Sequence, residues 1–470
     1  MAETVLLCAV VLPLSHLRQI LEILSGAADP AAFDVDTALV RTLILVVTCQ
    51  LIFLFNDLYR WRIIRSKHQS SIRLLESSSY TLILTALLYF ALDGIDRYVL
   101  APRGEGPRLG LYKIGTIPAV VAIVVAHVAA YGFRRIFDWT LFRIPIADRV
   151  LMIGDAPIAA VIEHELHERR DPTYEIVGYV LPEWTGDAGE KDGKTVLCGY
   201  GRIVETVKEH EIHRVVVCLP ERRGNLPVLE LLNCKLQGVK VEEGELMYER
   251  VTGKIAVDRL RPSYLIFSEG FNRSKFTYLF KRGLDVVLAL VGIVIAAPLA
   301  LLTALAVKLD SRGPVLFSQP RVGKDGRIFT LYKFRSMRTD AEKDTGPVWA
   351  ASDDDRVTRV GRVIRKIRLD EIPQLINVLR NEMSFVGPRP ERPFFVEELK
   401  REIPFYTERL VVKPGVTGWA QINYRYGASK EDALQKLQFD LYYIKNMSIF
   451  LDVLILFRTI RVVLLGFGAR

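Results

Sequence analysis

Over the first third of the chain the apolar positions form blocks rather than stripes. Residues 39–55 run apolar up to Asn56 and Asp57. Residues 80–92 are apolar and extend back toward Ile72 past Glu76, and 114–133 are clean apart from His127. A bilayer is crossed by about 20 mostly apolar residues, so these blocks predict three transmembrane helices. A fourth block, 5–24, is interrupted by Pro13, His16 and Arg18 and is the weakest of the set. Basic clusters at 60–67 and at Arg134, Arg135 and Arg143 predict cytoplasmic ends. Arg103 and Arg108, in the loop that this topology places outside, run against it.

The pattern then changes. Between 146 and 267 short apolar runs alternate with mixed stretches of helical spacing. Strands are expected at 149–154, 176–181, 214–219 and 239–241, with helices at 156–169 and 226–236. That alternation predicts a Rossmann-like α/β domain with a parallel sheet. The first strand ends in Gly154-Asp155-Ala156-Pro157-Ile158-Ala159. A dinucleotide fingerprint needs further glycines there for close pyrophosphate approach, so the domain is not expected to bind a dinucleotide, and a regulatory or assembly role is the default.

A further apolar run, 283–307, has basic residues on both flanks: Lys281 and Arg282 before it, Lys308 and Arg312 after it. A straight crossing would put one flank on the wrong side and separate the domains on either side of it. A helix broken at Ala297–Pro298 that enters and leaves by the same face satisfies both constraints, since proline removes a backbone hydrogen bond and kinks a helix. After residue 313 the chain is rich in Arg, Lys, Pro and aromatics. It closes with an apolar run, 449–465, punctuated by Asp452, Arg458 and Arg461, as in an amphipathic surface helix. Tyr442 and Tyr443 beside it read as an interfacial aromatic anchor.

Composition agrees with this segregation. Half of the 470 residues are hydrophobic although 25% are charged, and the net charge is +9. Given the apolar blocks, the basic balance points to a membrane surface or phosphate-rich substrates rather than nucleic acid. The five cysteines form no C-x-x-C pair and no zinc spacing, so they read as reduced and structural. Met1 to Val11 carry no Lys or Arg, unlike a cleaved signal peptide.

The candidate chemistry lies at Asp370-Glu371. Pro373 is tolerated only in a first helical turn, so a helix is expected to begin at this pair and to present its positive end to the carboxylates. Arg365 and Arg368 stand close by. An ionised carboxylate there suits a nucleophile toward phosphorus or a magnesium ligand; an acidic helix cap is the bland alternative. Downstream, Gly387-Pro388-Arg389-Pro390 aims an arginine fork suited to phosphate. Upstream, Lys333 and Arg335 in Leu331 to Met337 share a face if that stretch is a strand.

These pieces in this order, together with 317–323 and 413–421, resemble the bacterial sugar transferases, the monotopic polyprenyl-phosphate phosphoglycosyl transferases. The resemblance covers about 275–465. The whole architecture is similar to the large polyprenyl glycosylphosphotransferases of exopolysaccharide and lipopolysaccharide assembly. It implies transmembrane helices over 1–140, a soluble Rossmann-like α/β domain over 146–267, and a phosphoglycosyl transferase domain over 275–470 with a re-entrant helix at 283–307 broken at Pro298. It further implies that Asp370 attacks a UDP-sugar, that UMP leaves, and that polyprenyl phosphate takes the phosphosugar from the carboxylate. By the same resemblance Glu371 would hold Mg²⁺, and Arg365 and Arg389 would bind phosphate, with Lys333 and Arg335 in support. The expected setting is the cytoplasmic face of a bacterial inner membrane, with membrane lipid and a UDP-sugar as partners and a possible homodimer.

Three other readings compete with this one. Asp353-Asp354-Asp355 contains a D-x-D pattern, as in metal-dependent glycosyltransferases, which release UDP instead of UMP. Tyr426 and Lys430 give the Y-x-x-x-K pair of nucleotide-sugar dehydratases and epimerases, but lie far from the α/β domain. A non-enzymatic scaffold is disfavoured by the intact charged motifs.

Overall fold

The structure is a computed structural model. It describes residues 2–15, 35–56, 58–59, 67–95, 116–141, 147–169, 173–186, 188–219, 225–257, 270–271, 275–339, 341, 355–424, 427 and 429–464. The basic stretch 60–66, the loop 101–108, Arg143, most of the D-x-D pattern and Tyr426 lie outside the described residues, as do the ends of the apolar block 5–24 and of the α/β domain as expected from sequence.

The N-terminal part is helical: α1 (Ala2–Ser15), α2 (Val35–Phe55), α3 (Lys67–Ile95) and α4 (Thr116–Leu141). Leu7, Val11, Leu45, Phe53, Ala122, Ile123 and Ala126 form a common core, while Leu43, Leu75, Ile83, Leu87 and Val128 face outward. Polar contacts gather at one end. Glu3 pairs with Arg134 at 2.7 Å, both well buried. Arg134 also donates to Leu58 O and covers the rings of Phe53 and Tyr59, and Asn56 donates to Ser77. The start of α1, the end of α2, the start of α3 and the end of α4 therefore meet at one face, so successive helices run in alternating directions. The segment Ala119–Phe137 of α4 is long and apolar enough to cross a membrane.

The next segment is a mixed α/β unit. In chain order it holds β1 (Asp148–Ile153), α5 (Pro157–Arg169), β2 (Tyr174–Val180), β3 (Gly189–Lys191), β4 (Lys194–Cys198), α6 (Ile203–Glu209), β5 (Arg214–Val217), α7 (Val228–Leu236), β6 (Lys240–Glu243) and α8 (Gly244–Thr252). The strands form a six-stranded sheet in the order β3-β4-β2-β1-β5-β6. The pairs β2–β4 and β5–β6 are parallel, and the short edge strand β3 is antiparallel. Gly154 stands where β1 ends, at φ +89°, and a Cβ there would come within 2.6 Å of Cys218 O. The glycine answers to backbone packing inside the sheet.

The C-terminal part begins with α9 (Lys275–Asp310), one helix with Pro298 inside it. The helix runs on through the expected break at 297–298, where Pro298 has no N–H to donate, and the apolar residues on either side belong to one element. Then follow the hairpin β7 (Leu316–Val322) and β8 (Ile328–Phe334), α10 (Arg359–Lys366), a 3₁₀ turn Leu369–Glu371, α11 (Gln374–Leu379), β9 (Ser384–Val386), α12 (Pro393–Glu402), β10 (Gly415–Thr417), α13 (Trp419–Asn423), α14 (Lys430–Asn446) and α15 (Ile449–Leu464). Phe395, Leu399, Leu437, Leu441, Tyr443 and Ile455 lie in its main core.

Both ends of α9 are bonded to this same domain. Near the start, Lys281 Nζ reaches Asp452 at 2.7 Å, Arg282 donates to Val378 O and Leu379 O, and Asp285 accepts from Ser384 and Phe385. At the far end, Asp310 accepts from the amide of Val360, and Arg335 donates to Arg312 O and Ser311 O. Between them Val287, Val294, Ile295, Leu301, Leu302 and Leu305 are exposed, and the helix is long and apolar enough to cross a membrane. In α15 the arrangement of a soluble amphipathic helix is reversed: Asp452 is buried while Phe450, Val453 and Ile460 are exposed. Tyr443 is no interfacial anchor. It is buried, and its hydroxyl bonds Asp452 at 2.7 Å.

Candidate active site

The chain turns sharply before the acidic pair because Arg368 adopts the left-handed region, at φ +59°. That conformation is uncommon for a side chain with a Cβ and costs on the order of 1 kcal/mol. It ends α10 and sets Asp370 and Glu371 in a 3₁₀ turn, whereas α11 starts only at Gln374. The expected helix therefore begins one turn later, with Pro373 just before it, and the positive surroundings of the pair come from side chains. Glu371 Oε1 takes Lys333 Nζ at 3.1 Å, Arg389 Nη2 at 3.0 Å and Arg368 Nη1 at 3.5 Å. Asp370 lies farther from charge, with Lys333 Nζ at 3.9 Å, and its Oδ1 is buried without a hydrogen-bond partner.

The two carboxyls consequently diverge. Burial raises both. For Glu371 the charges of Lys333, Arg389 and Arg368 outweigh it and hold the group below the ordinary carboxylate range. For Asp370 burial wins over Lys333, the ionised Glu371 adds to it, and the group sits above its ordinary value. The sequence pattern points to an ionised carboxylate without separating the pair; the structure separates the two.

The other residues singled out in the sequence divide between this pair and α9. Lys333, on β8, faces both carboxylates. Arg389 bridges Glu371 and Gln421 Oε1, the latter at 2.9 Å. Arg365 lines the same cavity as Asp370 and Arg389. Arg335 lies one residue past the end of β8, and its buried guanidinium is taken up by the carbonyls at the end of α9. Pro298 lies in α9, away from the cluster.

Some residues at the site had no assigned role in the sequence. Asn377, fully buried, accepts from Tyr332 N and donates to Thr330 O, which ties α11 to β8 and so sets the pair against Lys333. Arg409 donates to the carbonyl of Arg389 at 3.1 Å and pairs with Asp440 at 2.7 Å. Burial pushes Asp440 up to about 6 against the pull of Arg409. The only sequence signal for this second pair is a charge at a helical core position of α14.

The cavity these groups border has a volume of about 780 Å³ and is lined by eleven Arg and Lys side chains against three carboxylates, Asp370, Glu391 and Asp440. It is large enough for a nucleotide-sized ligand, and its charge suits a polyanion. Among the described residues no three His, Cys, Asp or Glu side chains converge as a preformed metal cage. None of the five cysteines is in a disulfide.

Residues 276–466 match the model of the family described as bacterial sugar transferase, and 54–232 match a model described as a CoA-binding domain. The chain is 48% identical over 241 residues to a UDP-N-acetylgalactosamine-undecaprenyl-phosphate N-acetylgalactosaminephosphotransferase of Aeromonas hydrophila, covering 51% of this chain and 56% of that protein. It is 37% identical over 324 residues to an undecaprenyl-phosphate glucose phosphotransferase of Komagataeibacter xylinus, covering 67% of this chain and 59% of the relative. The chain thus spans less than two thirds of either protein. A UDP-glucose:undecaprenyl-phosphate glucose-1-phosphate transferase of Escherichia coli is 31% identical over 434 residues, 90% of this chain and 88% of its own length.

Proposed function

Because this chain belongs to the bacterial sugar transferase family, we propose that it transfers a sugar 1-phosphate from a UDP-sugar to undecaprenyl phosphate, the step that starts an exopolysaccharide or O-antigen repeat unit, with Asp370 as the nucleophile. The carrying observation is the inequality of the acidic pair. Glu371 is bound by three cations, whereas Asp370 keeps one buried oxygen free of donors and borders the cationic cavity. An Asp370 oxygen bonds to the sugar-bearing phosphorus as the bond from that phosphorus to the bridging oxygen breaks, and UMP departs with the electron pair. An oxygen of undecaprenyl phosphate then attacks the phosphosugar and frees the carboxylate. Arg389 and Arg365 hold phosphate, Lys333 and Arg368 balance the charge of the pair, and Arg335 fixes the end of α9.

The pair offers two carboxylates, the number Mg²⁺ takes when substrate phosphates complete its shell. Glu371 would hold it, since the three cation contacts all fall on Oε1. A bound ion would screen the charge of the diphosphate and of the departing UMP.

α9 and α15 support a setting at a membrane surface. A helix tied at both ends to one domain and apolar between them suits re-entry by one face, with Pro298 marking the bend. The outward apolar face of α15 suits the lipid surface beside it. The basic clusters support a setting at the cytoplasmic face of a bacterial inner membrane, with the chain divided at about 1–140, 146–267 and 275–470.

The test is UMP release by purified protein with Mg²⁺, undecaprenyl phosphate and a panel of UDP-sugars, beside Asp370→Asn. Wild-type release that the variant loses by at least about a thousandfold supports the reading and identifies the sugar. Release of UDP, or of UMP without Asp370, would sink it.

A further inference from the structure

We infer that residues 249–257, where the α/β domain ends, belong to the machinery that aims Arg389, and that Trp419 is the positioning residue through which they act; this rests on the proposed role of Arg389 as a phosphate ligand. Besides its bond to Glu371, Arg389 is tied to the surrounding helices. Its guanidinium donates to Gln421 on α13. Its carbonyl accepts from Arg409, which Asp440 on α14 holds in turn.

Both of these helices are gripped by the segment that leaves the α/β domain. Glu249, in α8, takes Lys445 Nζ at 2.6 Å and Asn446 Nδ2 at 2.9 Å from the end of α14, and the ion pair is buried. Lys254 Nζ reaches Gln435 at 3.1 Å, and the amide of Ile255 donates to Gln438 O at 3.1 Å. Trp419, the first residue of α13, donates its Nε1 hydrogen to Gly253 O at 2.9 Å. Its ring stacks on Tyr442 at 5.7 Å, and Arg458 covers it.

Gly253 caps α8 at φ +69°, and a Cβ there would touch the Trp419 ring at 3.4 Å. The fit is thus built around a residue that only glycine fills without strain. Trp419 does not line the cavity, whereas Gln421, two residues on, does. Fixing the start of α13 fixes the acceptor that turns the Arg389 fork toward Glu371. A domain with no dinucleotide fingerprint thereby acquires a task at the active site of its neighbour.

The experiment compares full-length wild type, Trp419→Phe, Gln421→Ala and the double variant. It measures UMP release against concentration of the UDP-sugar found in the screen above, and amide exchange of 387–391. Phenylalanine keeps an apolar ring and loses the donor. The expected result is a KM for the UDP-sugar raised about fivefold, the worth of one hydrogen bond, with kcat changed less and faster exchange at 387–391. In the Gln421→Ala background the Trp419 change should add nothing further. Equal, multiplying effects in both backgrounds, or unchanged exchange at 387–391, overturn the inference. If wild type releases no UMP, the proposed activity falls and the exchange data alone decide the coupling. If Trp419→Phe does not fold, Gly253→Ala, which strains the left-handed turn that presents the carbonyl to Trp419, replaces it under the same criteria.

Discussion

At the scale of single residues, charge placement decides which carboxyl reacts and at what pH. Asp370 must lose its proton to attack, and burial holds its pKa above the ordinary value while Lys333 pulls it down. UMP release should therefore rise with pH as Asp370 ionises. Lys333→Met removes a downward pull and should move this acid limb to higher pH. Glu371→Gln removes an upward pull, and the limb of its residual activity should move to lower pH. Initial rates across a pH series check both signs, and limbs moving the same way would contradict the assignment. Asp440→Asn tests the second pair. It leaves Arg409 buried without its counter-charge, a loss of about 3–5 kcal/mol, measurable as a lowered denaturation midpoint.

Among the elements, much was legible in the sequence where local chemistry decides the backbone. The alternation after 146 marked the strands and helices of the sheet, and Gly154 marked the end of the first strand. The proline spacing and charges marked the acidic pair and Arg389. Less was legible where distant residues decide. Nothing local in 365–373 announces that Arg368 turns left-handed, so the helix start was placed one turn early. Arg335 and Lys333 alternate as on one strand, yet the strand stops at Phe334 and the end of α9 draws Arg335 inward. Tyr443 read as a surface anchor because its partner, Asp452, belongs to the next helix. For α9 the proposed one-sided entry predicts that Lys275→Cys and Ser311→Cys, in a background lacking the native cysteines, react with an impermeant thiol reagent from the same side of sealed vesicles. Labelling from opposite sides would mean a straight crossing.

For the whole molecule, the alternating helices of the N-terminal part put the start of α1 and the end of α4 at one face, where Glu3 meets Arg134. The sequence alone left the first apolar block undecided; in the structure α1 packs into the bundle core, with its start beside the end of α4. A reporter fused to the N-terminus should therefore show the same cytoplasmic location as one fused to the C-terminus. An N-terminal alkaline phosphatase fusion active in the periplasm would contradict this. Glu3→Gln should weaken the assembly of these helices by about 1–3 kcal/mol, read as a lowered midpoint in detergent, without changing the KM for the UDP-sugar.

The tethering of α9 at both ends has a mechanical side. On the proposed one-sided entry, the exposed Leu and Val side chains of that helix displace lipid from a single leaflet and add area to it alone. Each copy then acts as a wedge, and its insertion does work against the bending stiffness of the bilayer. Sheets with spare area in the cytoplasmic leaflet should take up the protein more readily than flat, tightly packed ones.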